Sequence, residues 1–165
     1  MRKTYLLTYM AVFIAIGTLG AQFLWFPAGI AKAYPVQHAV NVIAAITLGP
    51  GPAVVIAFTI GLLRNMIGLG TLLAFPGAMI GAFLAGMLYR WVGKKIAAVF
   101  GEIIGTGIIG SLFAVPFAKL FMNSGTGALF FMPSFLASSI SGAFIGWIIL
   151  LKVKQEHIIR LQGNY

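Results

Sequence analysis

Long apolar blocks alternate along the chain with short clusters of glycine, proline and charge. The first block runs from about Tyr5 to Phe26 and stops at Pro27. Residues 27–37 read as a loop, since two prolines, Gly29 and Lys32 interrupt the apolar pattern. A second block starts near Val36 and ends at the run Gly49-Pro50-Gly51-Pro52. At roughly 14 residues it falls short of the about 20 needed to cross a bilayer, so it must tilt or thin the membrane. Further blocks cover 53–67, 77–91, 96–121 and 131–151. They are separated by a connection at 68–76, a basic stretch at 90–95 and a small, polar stretch at 122–130. The pattern predicts six helices, at about 5–26, 36–49, 53–67, 77–91, 96–121 and 131–151, followed by a polar tail at 152–165.

Composition makes these helices membrane spans. Of 165 residues, 61% are hydrophobic and only 8% are charged, against roughly 25% charged in a soluble domain. A water-soluble fold lacks the polar groups to cover itself here, and disorder requires low hydrophobicity. The expected fold is one all-α integral membrane domain, a bundle of six transmembrane helices. Net charge is +9, but the basic groups lie in small sets between apolar blocks and do not form a nucleic-acid-binding face. With six spans, one side holds Arg2, Lys3, Arg90, Lys94, Lys95, Lys152, Lys154 and Arg160, and the other holds Lys32 and Lys119. That asymmetry places both termini in the cytoplasm. A five-span chain would lose it. Arg2 and Lys3 precede a long apolar run with no convincing cleavage site, so the first block reads as a span and not as a signal peptide.

The chemistry available is sparse. There is no cysteine and no aspartate, and Glu102 and Glu156 are the only carboxylates. His38 and His157 fall on opposite membrane sides, so no metal site is expected, and no nucleophile has a base beside it. No phosphate-binding loop occurs. Neither catalytic residues nor a cofactor are expected. Two charges lie within spans, Arg64 and Glu102. At 1.5 Å per residue they sit about 18 Å and about 10 Å from the inner ends of their helices. An unpaired intramembrane charge is costly, so the two are expected to couple, directly or through Asn65 and Thr106. The outer side gathers groups suited to a small heteroaromatic ligand. Trp25 and Phe26 end the first helix, and Tyr34, Gln37, His38 and Asn41 follow the first loop. Asn65 and Thr71 flank the second connection. Asn123, Phe131, Ser134 and Ser138 surround the start of the last helix. An interfacial aromatic belt accounts for the Trp and Tyr positions equally well.

Small residues recur at four-residue spacing: Gly77, Gly81 and Ala85; Ala78, Ala82 and Gly86; Gly101 and Gly105; Ser138, Gly142 and Gly146. Each set forms a stripe where another backbone can approach, and these four are assigned to packing inside the bundle. The first helix carries Ala11 and Ala15 as well as Gly17 and Ala21, so it has small residues on more than one side.

The stretches LLRNMIGLGTLLAFPGAMIGAFLAG (62–86), GEIIGTGIIG (101–110) and AVNVIAAITLGPGPAVVIAF (39–58) resemble the ThiW family. These are thiazole-specific substrate-binding subunits of energy-coupling factor transporters, and the likeness extends over nearly the whole chain. The resemblance implies a six-helix bundle in the bacterial plasma membrane that captures the hydroxyethylthiazole moiety of thiamine near the outer face. It implies a transmembrane coupling subunit and two cytoplasmic ATPases as partners. It also implies that an Ala-x-x-x-Ala stripe on the first helix docks on the coupling subunit, which Ala11 and Ala15 match. Related subunits for thiamine, riboflavin or biotin share this composition. A non-transporting membrane scaffold is the alternative outside that class, although a scaffold needs no cavity.

Overall fold

The computed structural model describes residues 3–29, 31–122 and 127–154. Helix α1 (Lys3–Phe23) leads into a short antiparallel hairpin, β1 (Phe26–Ala28) and β2 (Ala31–Ala33). Then come α2 (Pro35–Thr47), α3 (Pro50–Met66) and α4 (Ala74–Val92). Helix α5 (Lys95–Glu102), a π-helical stretch (Ile103–Gly110) and α6 (Ser111–Met122) follow one another without a gap, and α7 (Ala128–Leu151) completes the bundle. Four helical runs are long and apolar enough to cross a membrane: Lys3–Phe23, Ala74–Val92, Lys95–Leu120 and Leu129–Leu151. The apolar α3 is shorter, at 17 residues, and α2 has 13.

Local sequence sets the breaks. Pro35 and Pro50 occupy the first turns of α2 and α3, where the missing N–H is no loss. Gly49, with φ +88°, makes the corner between those helices. Gly93, with φ +73°, ends α4 in the left-handed conformation and returns its N–H to the Tyr89 carbonyl. Three features differ from the sequence expectation. The first helix, expected to run to Phe26, stops at Phe23, and Phe26 begins β1. The segment expected as an irregular loop at 27–37 forms the hairpin and the first turn of α2; its turn uses Gly29 at φ +64°. The helix expected as uniform over 96–121 is widened in its middle to the π form. Four glycines lie in or beside that widened stretch, at 101, 105, 107 and 110. Small residues on this scale let the backbone repack against a neighbour where side chains would hold it off.

Helix α2 is the hub. It touches α1, α3, α4, α5 and α7, and eleven of its thirteen residues are buried. The core around it is built from Val40, Val42, Ile46, Ile56, Ile60 and a run of alanines on α4. Helix α4 packs so closely on the next rod that backbones touch. A Cβ on Gly105 would fall 2.6 Å from Gly81 Cα, and one on Gly101 would fall 2.6 Å from Ala85 N. Gly86 sits likewise on Pro50, and Gly142 on the carbonyl of Pro35. The four stripes assigned to internal packing thus meet neighbouring elements of the same chain. Helix α1 is different. Only Gly17 and Ala21 are buried, with Gly17 against Ile60 and Gly20 against Val36. Ala11 and Ala15 are on the exposed side.

The glycine contacts set a stability test. Gly101→Ala should destabilise the detergent-solubilised protein by about 1–3 kcal/mol, the usual cost of overpacking, because the obstacle is backbone and cannot swing aside. Gly51→Ala meets nothing within 4 Å and should leave the thermal midpoint unchanged or raise it. Equal midpoints for the two variants would contradict the packing described.

Candidate functional site

Because α2 is short, the bundle is open above its first turn. A cavity of about 390 Å³ lies there. Its walls come from the hairpin (Ala31, Lys32, Tyr34), the start of α2 (Gln37, His38), the end of α3 (Arg64) and the α3–α4 connection (Gly68, Leu69, Gly70, Thr71). Ala74 and Ala78 of α4, Thr106 of the π stretch, and Ser134, Phe135 and Ser138 of α7 complete it. Two hydrogen bonds fasten the hairpin over α7: Tyr34 N–H donates to Ser138 Oγ at 2.8 Å, and Ser134 Oγ donates to the Ala28 carbonyl.

Arg64 is only 4% exposed. Its guanidinium donates to Gln37 Oε1 and, at 3.1 Å, to the Leu69 carbonyl. The Tyr34 ring covers it, with the guanidinium carbon 3.7 Å from the ring centre. Arg64 Nε is buried with no hydrogen-bond partner among the described residues. A buried arginine held by an amide, a carbonyl and a π face keeps its charge without a carboxylate. The same side chain therefore joins the hairpin end, α2 and the α3–α4 connection.

Glu102 is fully buried and lies behind the cavity wall. Its Oε1 gathers three donors: His38 Nδ1 at 2.7 Å, Asn41 Nδ2 at 3.0 Å and Thr106 Oγ1 at 3.0 Å. Asn41 spends its second N–H on the Ala78 carbonyl at 3.3 Å, and the Thr106 hydroxyl also lies 3.1 Å from the Gly77 carbonyl. Glu102 Oε2 is packed against Gly81, where a Cβ would fall 2.8 Å from it. With Nδ1 committed to the carboxylate, His38 has only Nε2 left for another partner.

The expected coupling of Arg64 and Glu102 is not what forms. Helices α3 and α5 make no contact among the described residues, because α2 and α4 lie between them. The neighbouring residues Gln37 and His38 take one charge each, and Asn65 turns away to the carbonyls of Gly61 and Thr71. Only Thr106 joins Glu102 as expected.

Of the candidate ligand contacts, Tyr34, His38, Arg64, Thr71, Ser134 and Ser138 line the cavity. Asn41 stands behind it on Glu102, and Asn65 lies beside it. Phe131 is buried in a separate cluster with Leu73, Ala114 and Ala118. Trp25 and Phe26 are outside the lining and partly exposed to the surroundings, at 45% and 38%, although Trp25 carries Lys32 Nζ 3.8 Å above its ring centre. Asn123 lies outside the described residues. Sequence reasoning missed Lys32, Phe135 and the backbone of residues 68–70. Phe135 was findable, being one helical turn beyond Phe131 and next to Ser134.

A family model described as thiamine-precursor transporter protein (ThiW) matches residues 7–156. No curated protein and no solved structure matches the chain.

The two polar clusters predict separable energetics. In thermal denaturation, His38→Ala and Glu102→Gln should be non-additive by about 0.5–3 kcal/mol, as expected for contacting groups. Arg64→Met and Glu102→Gln, with no shared partner, should add to within about 0.5 kcal/mol. Coupling of the second pair with additivity of the first would contradict the arrangement.

Proposed function

Because the chain belongs to the thiamine-precursor transporter (ThiW) family, we propose that it is the substrate-binding membrane subunit of an energy-coupling factor importer for the hydroxyethylthiazole half of thiamine. The observation that carries this reading is the cavity. At about 390 Å³ it stands near the low end of the about 300–1,000 Å³ typical of ligand pockets. That suits one five-membered ring with a two-carbon alcohol better than the fused or linked rings of larger vitamins. Tyr34 and Phe135 offer ring faces or edges to a flat heterocycle, and Arg64, Thr71, Ser134, Ser138 and His38 Nε2 offer hydrogen bonds to a hydroxyl and a ring nitrogen. A scaffold protein has no use for such a lined space.

Orientation follows from charge. Arg90, Lys94, Lys95, Lys152 and Lys154 collect at the bundle end opposite the hairpin, where Lys95 Nζ also holds the carbonyls of Leu150 and Val153 at 2.7 and 2.8 Å. Basic residues favour the cytoplasmic side. In this reading both termini are cytoplasmic, six helices form the membrane domain of the cell membrane, and the cavity opens outward. Binding closes the hairpin and the α3–α4 connection over the ligand through Arg64, which already touches both. The chain belongs to a transporter family and not an enzyme family. With no phosphate-binding loop in the sequence, energy for inward delivery comes from two ATPase subunits through a transmembrane coupling subunit. Ala11 and Ala15 on the exposed side of α1 are where that coupling subunit docks, since small side chains there allow close helix contact.

Calorimetric titration of the purified subunit with hydroxyethylthiazole tests the ligand. Saturable 1:1 binding, weakened at least about tenfold by Ser138→Leu, is the expected result. Mass spectrometry of co-purified molecules showing a different vitamin would displace thiazole. Docking is tested by Ala15→Trp, which should abolish capture of the coupling and ATPase subunits and leave ligand affinity within about twofold, because the contact lies outside the cavity. Loss of ligand binding with the complex intact would make the stripe an internal contact.

A further inference from the structure

The cavity has an unusual charge inventory for a receptor of aromatic heterocycles. Two permanent cations, Lys32 and Arg64, stand in its wall. No carboxylate does. The one carboxylate among the described residues, Glu102, is fully buried behind His38 and Thr106, with Oε1 already holding three donors and Oε2 packed on Gly81. A cationic ring seeks either an anion or an open aromatic face. Of the two aromatic rings in the lining, Tyr34 already holds a cation, with the guanidinium of Arg64 at 3.7 Å from its ring centre, and Phe135 is the other; Lys32 reaches the cavity wall from above Trp25, which lies outside the lining, at 3.8 Å. At Tyr34 the protein's own cation thus stands where a cationic ligand would stack, and a ligand at Phe135 faces two positive charges in the same wall. Arg64 is buried and poorly hydrated, so like charge at short range from it is repulsive beyond thermal energy, and the exposed Lys32 adds a weaker, solvent-screened repulsion. Arg64 Nε, buried with no partner among the described residues, adds a donor that only an electron-rich atom can satisfy.

Building on the thiazole reading above, we propose that this cavity selects by charge, admitting neutral azoles and rejecting azolium rings. A thiazole is a weak base and enters uncharged. Once its nitrogen is alkylated, the ring carries a permanent positive charge and has no lone pair left to accept a hydrogen bond, so the site refuses it.

The test compares hydroxyethylthiazole with its N-methylthiazolium salt, titrated into the full-length subunit and into Lys32→Glu. Lys32 is exposed on the hairpin, so the substitution leaves the buried clusters alone. The wild type should bind the neutral ring at least about a hundredfold more tightly than the salt, and Lys32→Glu should narrow that ratio by about tenfold or more. A ratio unmoved in Lys32→Glu means that the added methyl clashes sterically, and overturns selection by charge. Equal affinity for both rings overturns it while leaving the thiazole reading intact. Binding of neither ring overturns both.

Discussion

One oxygen atom organises this molecule. Glu102 Oε1 collects an imidazole N–H and an amide N–H from α2 and a hydroxyl from the π-helical stretch. In an apolar medium such a carboxylate has no alternative partners, and losing one member of a buried pair typically costs about 3–5 kcal/mol. The rest of the bundle accommodates this knot. Gly81 is glycine because the carboxyl group lies on it, and Thr106 reaches the knot from the π stretch. Asn41 ties the same knot to the backbone of α4 through Ala78. The hub helix α2 is thereby fixed in depth and rotation, and His38 is fixed in ring orientation.

The position of the cavity follows from that fixed depth. With α2 beginning only at Pro35, the space above its first turn is enclosed by connections and not by helix, and connections are what can open. Arg64 spans them. It reaches the hairpin end through Tyr34, the hub through Gln37 and the α3–α4 turn through Leu69. Two polar clusters therefore divide the labour: one holds the floor still, and the other holds the movable parts together. They meet on consecutive residues of one helix, Gln37 and His38, which point to different neighbours.

Much of this was legible in the sequence, for reasons that also explain what was not. Apolar blocks and Gly-Pro breaks mark helices because lipid tolerates little else, and the observed α2, α3, α4 and α7 begin and end within three residues of the expected bounds. Arg64 and Glu102 stood out because intramembrane charge is rare. Their partners did not, since pairing depends on which helices are neighbours, and nothing in the chain states that α2 and α4 separate α3 from α5. The hairpin was hidden by Pro27 and by strands of only three residues. The π stretch was hidden because a widened helix and an ordinary one share the same apolar sequence. Lys32 was set aside as a loop lysine; its relevance comes from the hairpin that carries it into the cavity wall, above the ring of Trp25. Phe131 and Phe135 lie one turn apart on α7, and depth alone decides that the second meets the cavity while the first fills a side cluster.

The long sequence separation inside the Glu102 knot also constrains how the chain enters the bilayer. Helix α1, apolar throughout and buried only at Gly17 and Ala21, is stable in lipid as soon as it leaves the translocation channel. Helix α2 is not, because Gln37, His38 and Asn41 lie within its first two turns and their partners on α3 and α5 are not yet made. About sixty residues must be synthesised after His38 before its carboxylate exists, which at typical rates of about 5–20 residues per second is several seconds. During that interval the polar groups of α2 lack the partners that bury them, and the hub is complete only once residue 102 has been made.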